Sequence, residues 1–411
     1  MTQIALDLDH VRRQFPGLDR GWTLFDNAGG SQILKGAVDR MTAFLYENNV
    51  QIGGTYDLSV AAAESLREAR VAAATLMNAG RPEEIIFGPS TTVLLQNLSR
   101  AMRSQLSPGD EVIVSGADHE SNIGPWVALT EIGVIVKFWP LNRDTMALDL
   151  EDLGAIMTDR TRLVCVTHVS NILGQVHPIA EFARFVHERG ARICVDAVAY
   201  APHRAIDVQA WDVDYYVFSL YKTYGPHYAV MFGKHEHLLE LDALYHYFYG
   251  KDKVPGKLEP GNPSYECATT TVAIRDYLSG LGSAAGSSRA GLEAGFAAIT
   301  AQEDALVGRL LAYLTGRNDC RIFGATRNEG SRRIPTVAFR FQGRDSGAVA
   351  KAVDAHGIAI RHGDFHSRRL VEDLGQIGDG GLLRVSMVHY NTLEEVDRLC
   401  GAFDAILREA A

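Results

Sequence analysis

Cysteine is scarce in this chain and carries no pairing pattern. Cys165, Cys194, Cys267, Cys320 and Cys400 are five in number and show no CxxC spacing. That excludes a disulfide framework and fits reduced thiols. Cys165 and Cys194 sit inside the apolar runs Leu163-Val-Cys-Val166 and Ile193-Cys-Val-Asp196, and Cys400 lies in a helical pattern, so all three read as small core residues. Basic runs are missing as well, and the formal net charge is −10. A globally acidic protein repels nucleic acid and anionic lipid surfaces, so neither is expected as a partner. No apolar run approaches a membrane span in length. The opening residues, Met1 to His10, place acids within an apolar stretch and lack a basic start and a cleavage site, so the expected location is the cytoplasm. Internal repeats and low-complexity linkers are absent too. What remains, 411 residues at 46% apolar composition, suffices for two domains, each with its own core.

Short β-branched runs alternate with helical patterns through the middle of the chain. The strand candidates are Ile85–Phe87, Glu111–Ser115, Val134–Phe138, Leu163–Thr167, Arg192–Asp196 and Tyr215–Ser219. Between two of them, Ile179 to Arg189 has apolar spacing of about 3.6 and stops at Gly190. Strand, helix, strand repeated in this way implies an α/β fold with a mostly parallel sheet covered by helices. Past about residue 280 the pattern changes to a long helix over Ser287 to Arg317, then strands at Thr336–Phe341, Ile358–Arg361 and Leu382–Ser386 interleaved with helices at Ser346–His356 and Thr392–Arg408. We therefore expect an N-terminal segment, 1–20, packing on a small C-terminal α+β domain, 281–411, with a large domain over 21–280.

Ligands of a parallel sheet collect at the carboxyl ends of its strands. Lys222 falls there, closing Asp214-Tyr-Tyr-Val-Phe-Ser-Leu-Tyr-Lys222, and Asp196 ends the preceding strand. A solvated surface lysine has no reason to follow so apolar a run. A lysine amine at a strand mouth together with an upstream carboxylate is what pyridoxal phosphate chemistry requires: the amine forms a Schiff base with the cofactor aldehyde, and the carboxylate keeps the pyridine nitrogen protonated. Gly88-Pro-Ser-Thr-Thr-Val93 precedes a helical stretch, and amides at a helix N-terminus hold an anion such as phosphate. By itself that run is only a helix-capping signal.

These motifs resemble those of class V aminotransferase-fold pyridoxal phosphate enzymes, closest to the cysteine desulfurases and selenocysteine lyases. The likeness runs from Phe25-Asp-Asn-Ala-Gly-Gly-Ser-Gln32 to Arg384-Val-Ser-Met-Val-His-Tyr-Asn-Thr-Leu-Glu-Glu-Val-Asp397. It implies a fold type I transferase and pyridoxal 5'-phosphate as cofactor. It further implies Lys222, Asp196 and His119 as catalytic residues, with the His119 ring stacking on the pyridine. Thr91, Thr92 and Ser219 become phosphate ligands, and Asn171 stands beside the cofactor's phenolic oxygen and the substrate. Arg384 clamps the substrate carboxylate, a task suited to a planar bidentate donor, and Arg361 is a second candidate for that pocket. A homodimer is implied by Leu258-Glu-Pro-Gly-Asn-Pro-Ser-Tyr-Glu266, which matches a loop that reaches the neighbouring subunit's cofactor.

The chain also departs from the family. The histidine ahead of the Schiff-base lysine is Tyr221, whose hydroxyl can still bond phosphate, and a family glutamine falls at Ala199, which donates nothing. Where desulfurases read Arg-Thr-Gly-His-His-Cys, with the sulfur-accepting cysteine, this chain reads Arg361-His-Gly-Asp-Phe-His366. His366 cannot form a persulfide; it is either an acid or base at the substrate side chain or a filler of the loop. Cys267 is a second candidate thiol or a structural residue. His362 and His366, four apart with Asp364 between them, lack a third ligand cluster, so no metal is expected. The expected function is chemistry on an amino acid or amine through a Cα carbanion, by elimination, epimerisation or transamination. The alternative is a non-enzymatic regulatory protein that retains the cofactor fold.

Overall fold

The computed structural model describes residues 6–282, 286–328 and 332–409. The first five residues of the expected N-terminal segment thus lie outside the described residues. Seven strands form one sheet in the spatial order Ile85–Gly88, Ala229–Gly233, Tyr215–Ser219, Arg192–Asp196, Thr161–Thr167, Glu111–Ser115 and Ile135–Trp139. Neighbours from Tyr215–Ser219 through Ile135–Trp139 pair in parallel. The strand Ala229–Gly233, not anticipated from the sequence, runs antiparallel to both of its neighbours. Antiparallel pairing lets it follow Tyr215–Ser219 through a short connection, without the crossover helix that marks parallel units in a sequence. Glu111–Ser115, Tyr215–Ser219 and Ala229–Gly233 are buried along their whole length, as helices on both faces require.

A second, four-stranded antiparallel sheet has the order Arg361–Gly363, Leu382–Ser386, Thr336–Phe341 and Cys320–Phe323. The run Ile358–Arg361, expected as one strand, divides: Ile358–Ala359 pairs in parallel with Thr23–Leu24, and Arg361 begins the edge strand of the four. Phe25 consequently packs with Phe339, Phe341 and Phe403 in the core under this sheet. The helix Arg289–Thr315 crosses from one core to the other. Leu292, Phe296 and Ile299 pack on the first, and Leu306, Leu310 and Leu314 on the second.

Buried polar contacts tie the two sheets together. Glu303, on the long helix, accepts hydrogen bonds from Arg204 at 2.9 Å and pairs with His203 Nδ1 at 2.8 Å. The short helix Leu8–Arg13 places Arg12 on the Tyr390 carbonyl at 2.8 Å and on Glu395 at 3.0 Å, while Phe15 packs edge-on against Tyr224 and Tyr277. Gly174 adopts φ +67°, and a Cβ there would collide with the Thr336 carbonyl. A side chain would push the loop carrying Asn171 off the second sheet. Among the described residues no helix is long and apolar enough to cross a membrane.

Candidate active site

Five strands running the same way end along one edge of the large sheet, and each delivers polar side chains just past its last residue. Ile85–Gly88 leads into Ser90 and the helix Thr91–Ala101; Glu111–Ser115 leads into Asp118 and His119; Thr161–Thr167 leads toward Asn171. Arg192–Asp196 ends on Asp196 itself, and Tyr215–Ser219 stops three residues short of Lys222. Thr91, Thr92, His119, Asn171, Asp196, Ser219, Tyr221 and Lys222 line one inner cavity. This places together eight of the residues singled out from the sequence.

Lys222 is buried and forms no salt bridge or hydrogen bond among the described residues; its Nζ lies 5.7 Å from the Tyr221 ring centre. Burial lowers its amine to about 8, with the Arg384 charge acting in the same direction and Asp196 opposing. Asp196 accepts the Val198 N–H at 2.9 Å, and burial raises its carboxyl to about 6. At neutral pH it is mostly ionised, yet a partner carrying a proton would stabilise it further. The His119 ring takes the Ser121 N–H on Nδ1 at 3.1 Å. Burial lowers its pKa to about 3, helped by the positive charges of Lys222 and Arg384, so the ring stays neutral and offers an uncharged face.

At the helix N-terminus, Ser90 Oγ caps the Val93 N–H at 3.2 Å, and the hydroxyls of Thr91 and Ser219 meet at 2.7 Å. Thr92 pairs with Ser121 at 2.6 Å. A cluster of hydroxyls facing unpaired helix amides, with no acid in the first turn, is suited to a phosphate. Ser121 and Asp118 were not foreseen as parts of the site. Asp118 is buried and accepts hydrogen bonds from Ser115, from Asn122 at 2.9 Å and from the Thr167 N–H at 3.1 Å, holding two strand ends together beneath His119. Burial pushes its carboxyl well above the usual range. The only sequence signal was its position immediately before His119.

Arg384, Arg361, His366, His362 and Cys267 do not line this cavity, whereas Asn171 and Tyr221 do. Asn171 has its side chain engaged: Nδ2 donates to the Phe365 carbonyl at 3.0 Å and Oδ1 accepts from Ser367 at 2.7 Å. Arg384 is buried, with Nη1 on the Asn171 carbonyl at 3.3 Å and Nη2 on Asp26 at 2.9 Å. Arg361 is half exposed and reaches the same Asp26 at 3.5 Å. His366 lines a wider outer cavity that shares Thr92, His119, Ser121 and Tyr221 with the inner one, and its ring lies 5.5 Å from that of His119. Phe365 and His366 both hold left-handed backbone, at φ 54° and 59°, a rare conformation for such side chains. Tyr221 stacks on His227 at 4.8 Å. His362 donates its Nδ1 proton to the Gly380 carbonyl at 2.9 Å. Cys267 is half-buried, packs against the main core and lines neither cavity.

A buried amine with no partner among the described residues, a carboxylate whose pKa burial raises, a neutral imidazole face and a hydroxyl-lined helix N-terminus fit pyridoxal phosphate. Comparison with known proteins agrees. The family model for class V aminotransferases matches residues 23–399. The chain is similar to the aminotransferase-like protein FGM3 of Gibberella zeae, with 39% identity over 99% of this chain and 100% of that one. It is 34% identical to the cysteine desulfurase-like protein ustD of Aspergillus flavus, over 98% of this chain and 91% of that protein. Among solved structures, the cysteine desulfurase CsdA of Escherichia coli superposes with a TM-score of 0.85 at 26% identity, covering 98% of this chain and 99% of that one. The chain therefore belongs to the class V aminotransferase family, in its cysteine desulfurase-like branch, and is a pyridoxal phosphate-dependent enzyme.

Proposed function

We propose that the enzyme acts on a small amino acid or related amine, removes the Cα proton with Lys222, and expels a group from the substrate side chain without storing sulfur on a cysteine. Bound in the inner cavity, pyridoxal phosphate supplies an aldehyde carbon for the amine and a ring that accepts electrons from Cα. Thr91, Thr92, Ser219 and the helix amides hold its phosphate, with the Tyr221 hydroxyl at the cavity wall as a further donor. The neutral His119 ring packs on its face, and Asn171 keeps the Phe365–Ser367 loop against the cavity. Asp196, ionised at neutral pH, holds a proton on the ring nitrogen. Lys222, with an amine near 8, carries enough of the neutral form to take and return the Cα proton. Arg384 receives the substrate carboxylate, and Arg361 and His366 border the side-chain end.

The observation that carries the leaving-group assignment is His366. Its imidazole borders the outer cavity, where a desulfurase needs a thiolate. An imidazole transfers protons but cannot carry sulfane sulfur. Cys267 is a poor substitute, because burial pushes its thiol up and leaves less thiolate at neutral pH. With L-cysteine we expect alanine or pyruvate to form slowly or not at all, and peptide mass analysis after persulfide labelling to find no catalytic persulfide. Persulfide on Cys267 appearing as fast as alanine release would restore the desulfurase reaction. A second reading, return of the proton to Cα as in an epimerase, draws on the His119 and His366 rings, whose centres lie 5.5 Å apart; exchange of the Cα proton with the side chain intact would select it.

The same reading includes a cytoplasmic homodimer, supported by five free cysteines and by the loop Glu259 to Cys267. Dilution below the dimer dissociation constant is expected to release cofactor along with subunits. A monomer in sedimentation that keeps its full cofactor content would contradict the shared site.

A further inference from the structure

Asp26 occupies the position on Arg384 that an incoming carboxylate needs. Arg384 is the only residue assigned above to the substrate carboxylate that is fully buried, with 2% of its side chain exposed. Two of its five N–H donors are engaged among the described residues. Nη1 is on the Asn171 carbonyl, Nη2 on Asp26 Oδ1 at 2.9 Å, and the guanidinium face lies 4.0 Å from the centre of the Phe365 ring. Nε is buried and finds no hydrogen-bond partner among the described residues.

A guanidinium offers a carboxylate two planar forks, Nε with the adjacent Nη, or the two Nη atoms together. Nη2 is shared by the end fork and, being the atom beside Nε, by the side fork. With Asp26 on it, a carboxylate binding either fork in bidentate fashion has to share Nη2 with a second anion. A buried unsatisfied Nε is itself costly, so the resting arrangement leaves a donor that a bidentate ligand would satisfy.

Asp26 also has somewhere to go. Its second oxygen is 3.5 Å from Arg361 Nη1, and Arg361 lies directly opposite Arg384 across the strand pair Arg361–Gly363 and Leu382–Ser386. The aspartate is partly exposed, at 30% of its side chain, so it can turn without entering the core. Gly29 lies against both partners of this pair, and a Cβ there would be 2.7 Å from Asp26 Oδ2 and 3.0 Å from Arg361 Nη1.

We propose that Asp26 is an internal stand-in for the substrate carboxylate: it holds Arg384 at rest and is displaced onto Arg361 when an amino acid binds, so that it sets how tightly α-carboxylate ligands are held. This rests on the reading of Arg384 as the carboxylate clamp. Ligand affinity is then reduced by the fraction of time the clamp is taken.

Asp26→Asn keeps the side-chain size and removes the competing charge. Calorimetric titration of the holoenzyme with L-alanine is expected to show binding tightened about tenfold, as when a site free roughly one time in ten becomes free throughout. Titration with ethylamine, the same amine without a carboxylate, is expected to stay within about twofold, since it does not use the clamp. Circular dichroism and cofactor content identify a misfolded variant, and Asp26→Ala then serves as the second test of the same expectation. L-alanine binding that is weaker or unchanged in a folded variant overturns the proposal and makes Asp26 an anchor for Arg384. Absence of measurable L-alanine binding in both variants overturns it equally, because vacating the clamp must expose it. Failure of the parent reading has a separate signature: Arg384→Gln would leave L-alanine binding at its wild-type strength.

Discussion

Replacing Lys222 with alanine is expected to abolish the visible absorption of the bound cofactor and to cut turnover by about a thousandfold or more, within the range that a positioned proton-transfer group contributes. The phosphate cradle does not involve Lys222, so pyridoxal phosphate should still be recovered with the purified variant. The Thr91–Ser219 contact and the capped helix remain when the lysine side chain is removed. The change also deletes a buried amine that makes no hydrogen bond or salt bridge among the described residues. Folding should therefore survive, and thermal unfolding of the apoprotein should change little or shift upward. Absorption spectroscopy of the purified variant decides the matter: a visible band like that of the wild type would remove Lys222 from the proposed role. Loss of the band with turnover intact would move proton transfer to another group, with His119 the next candidate.

Asp196→Asn is the second large effect, with turnover expected to fall about a hundredfold or more, comparable to removal of a preorganised electrostatic partner in other sites. An amide cannot hold a proton on the ring nitrogen as a carboxylate does, and the ring is then a weaker electron acceptor. Stability of the apoprotein should move the other way. Burial raises the Asp196 carboxyl from its ordinary 3.8 to about 6, so the folded state binds this proton more tightly than the unfolded chain. A group with a raised folded pKa stabilises the fold fully below its unfolded pKa, and that contribution is lost as pH rises through the folded value. Between pH near 4 and pH near 6 the apoprotein should thus lose up to about 3 kcal/mol from this group, a loss the asparagine variant should not show. Urea unfolding of both apoproteins across that range tests the sign. Near-normal turnover of the variant with intact cofactor content would show that Asp196 does not face the ring nitrogen.

The parts of this enzyme that could be read from the chain are those fixed by short-range pattern. An apolar run buried on both sides reads as a parallel strand, and a polar residue just past its end is exposed to the ligand edge by the geometry of the strand alone. Asp196, Ser219 and Lys222 were legible for that reason, and so was the hydroxyl-rich start of the helix Thr91–Ala101. The strand Ala229–Gly233 was not, because an antiparallel strand carries no crossover helix to announce it. Thr23–Leu24 was missed as well, since two residues have no period and owe their strand character to partners more than three hundred positions away.

Within the site the same division holds. Residue types and strand ends placed a lysine and an aspartate at the ligand edge of the sheet, and the family resemblance added a histidine and two arginines as expectations. Tertiary structure alone decided what they do there at rest. Asn171 spends its amide on the loop at Phe365 and Ser367, that loop adopts left-handed backbone at two non-glycine residues, and Asp26 takes Arg384 across 358 positions of chain. Contacts at such separation depend on the packing of the second sheet against the first, and side-chain propensity at either end does not encode them; the positive φ values at Phe365 and His366 go against local preference and persist only because the surrounding contacts impose them.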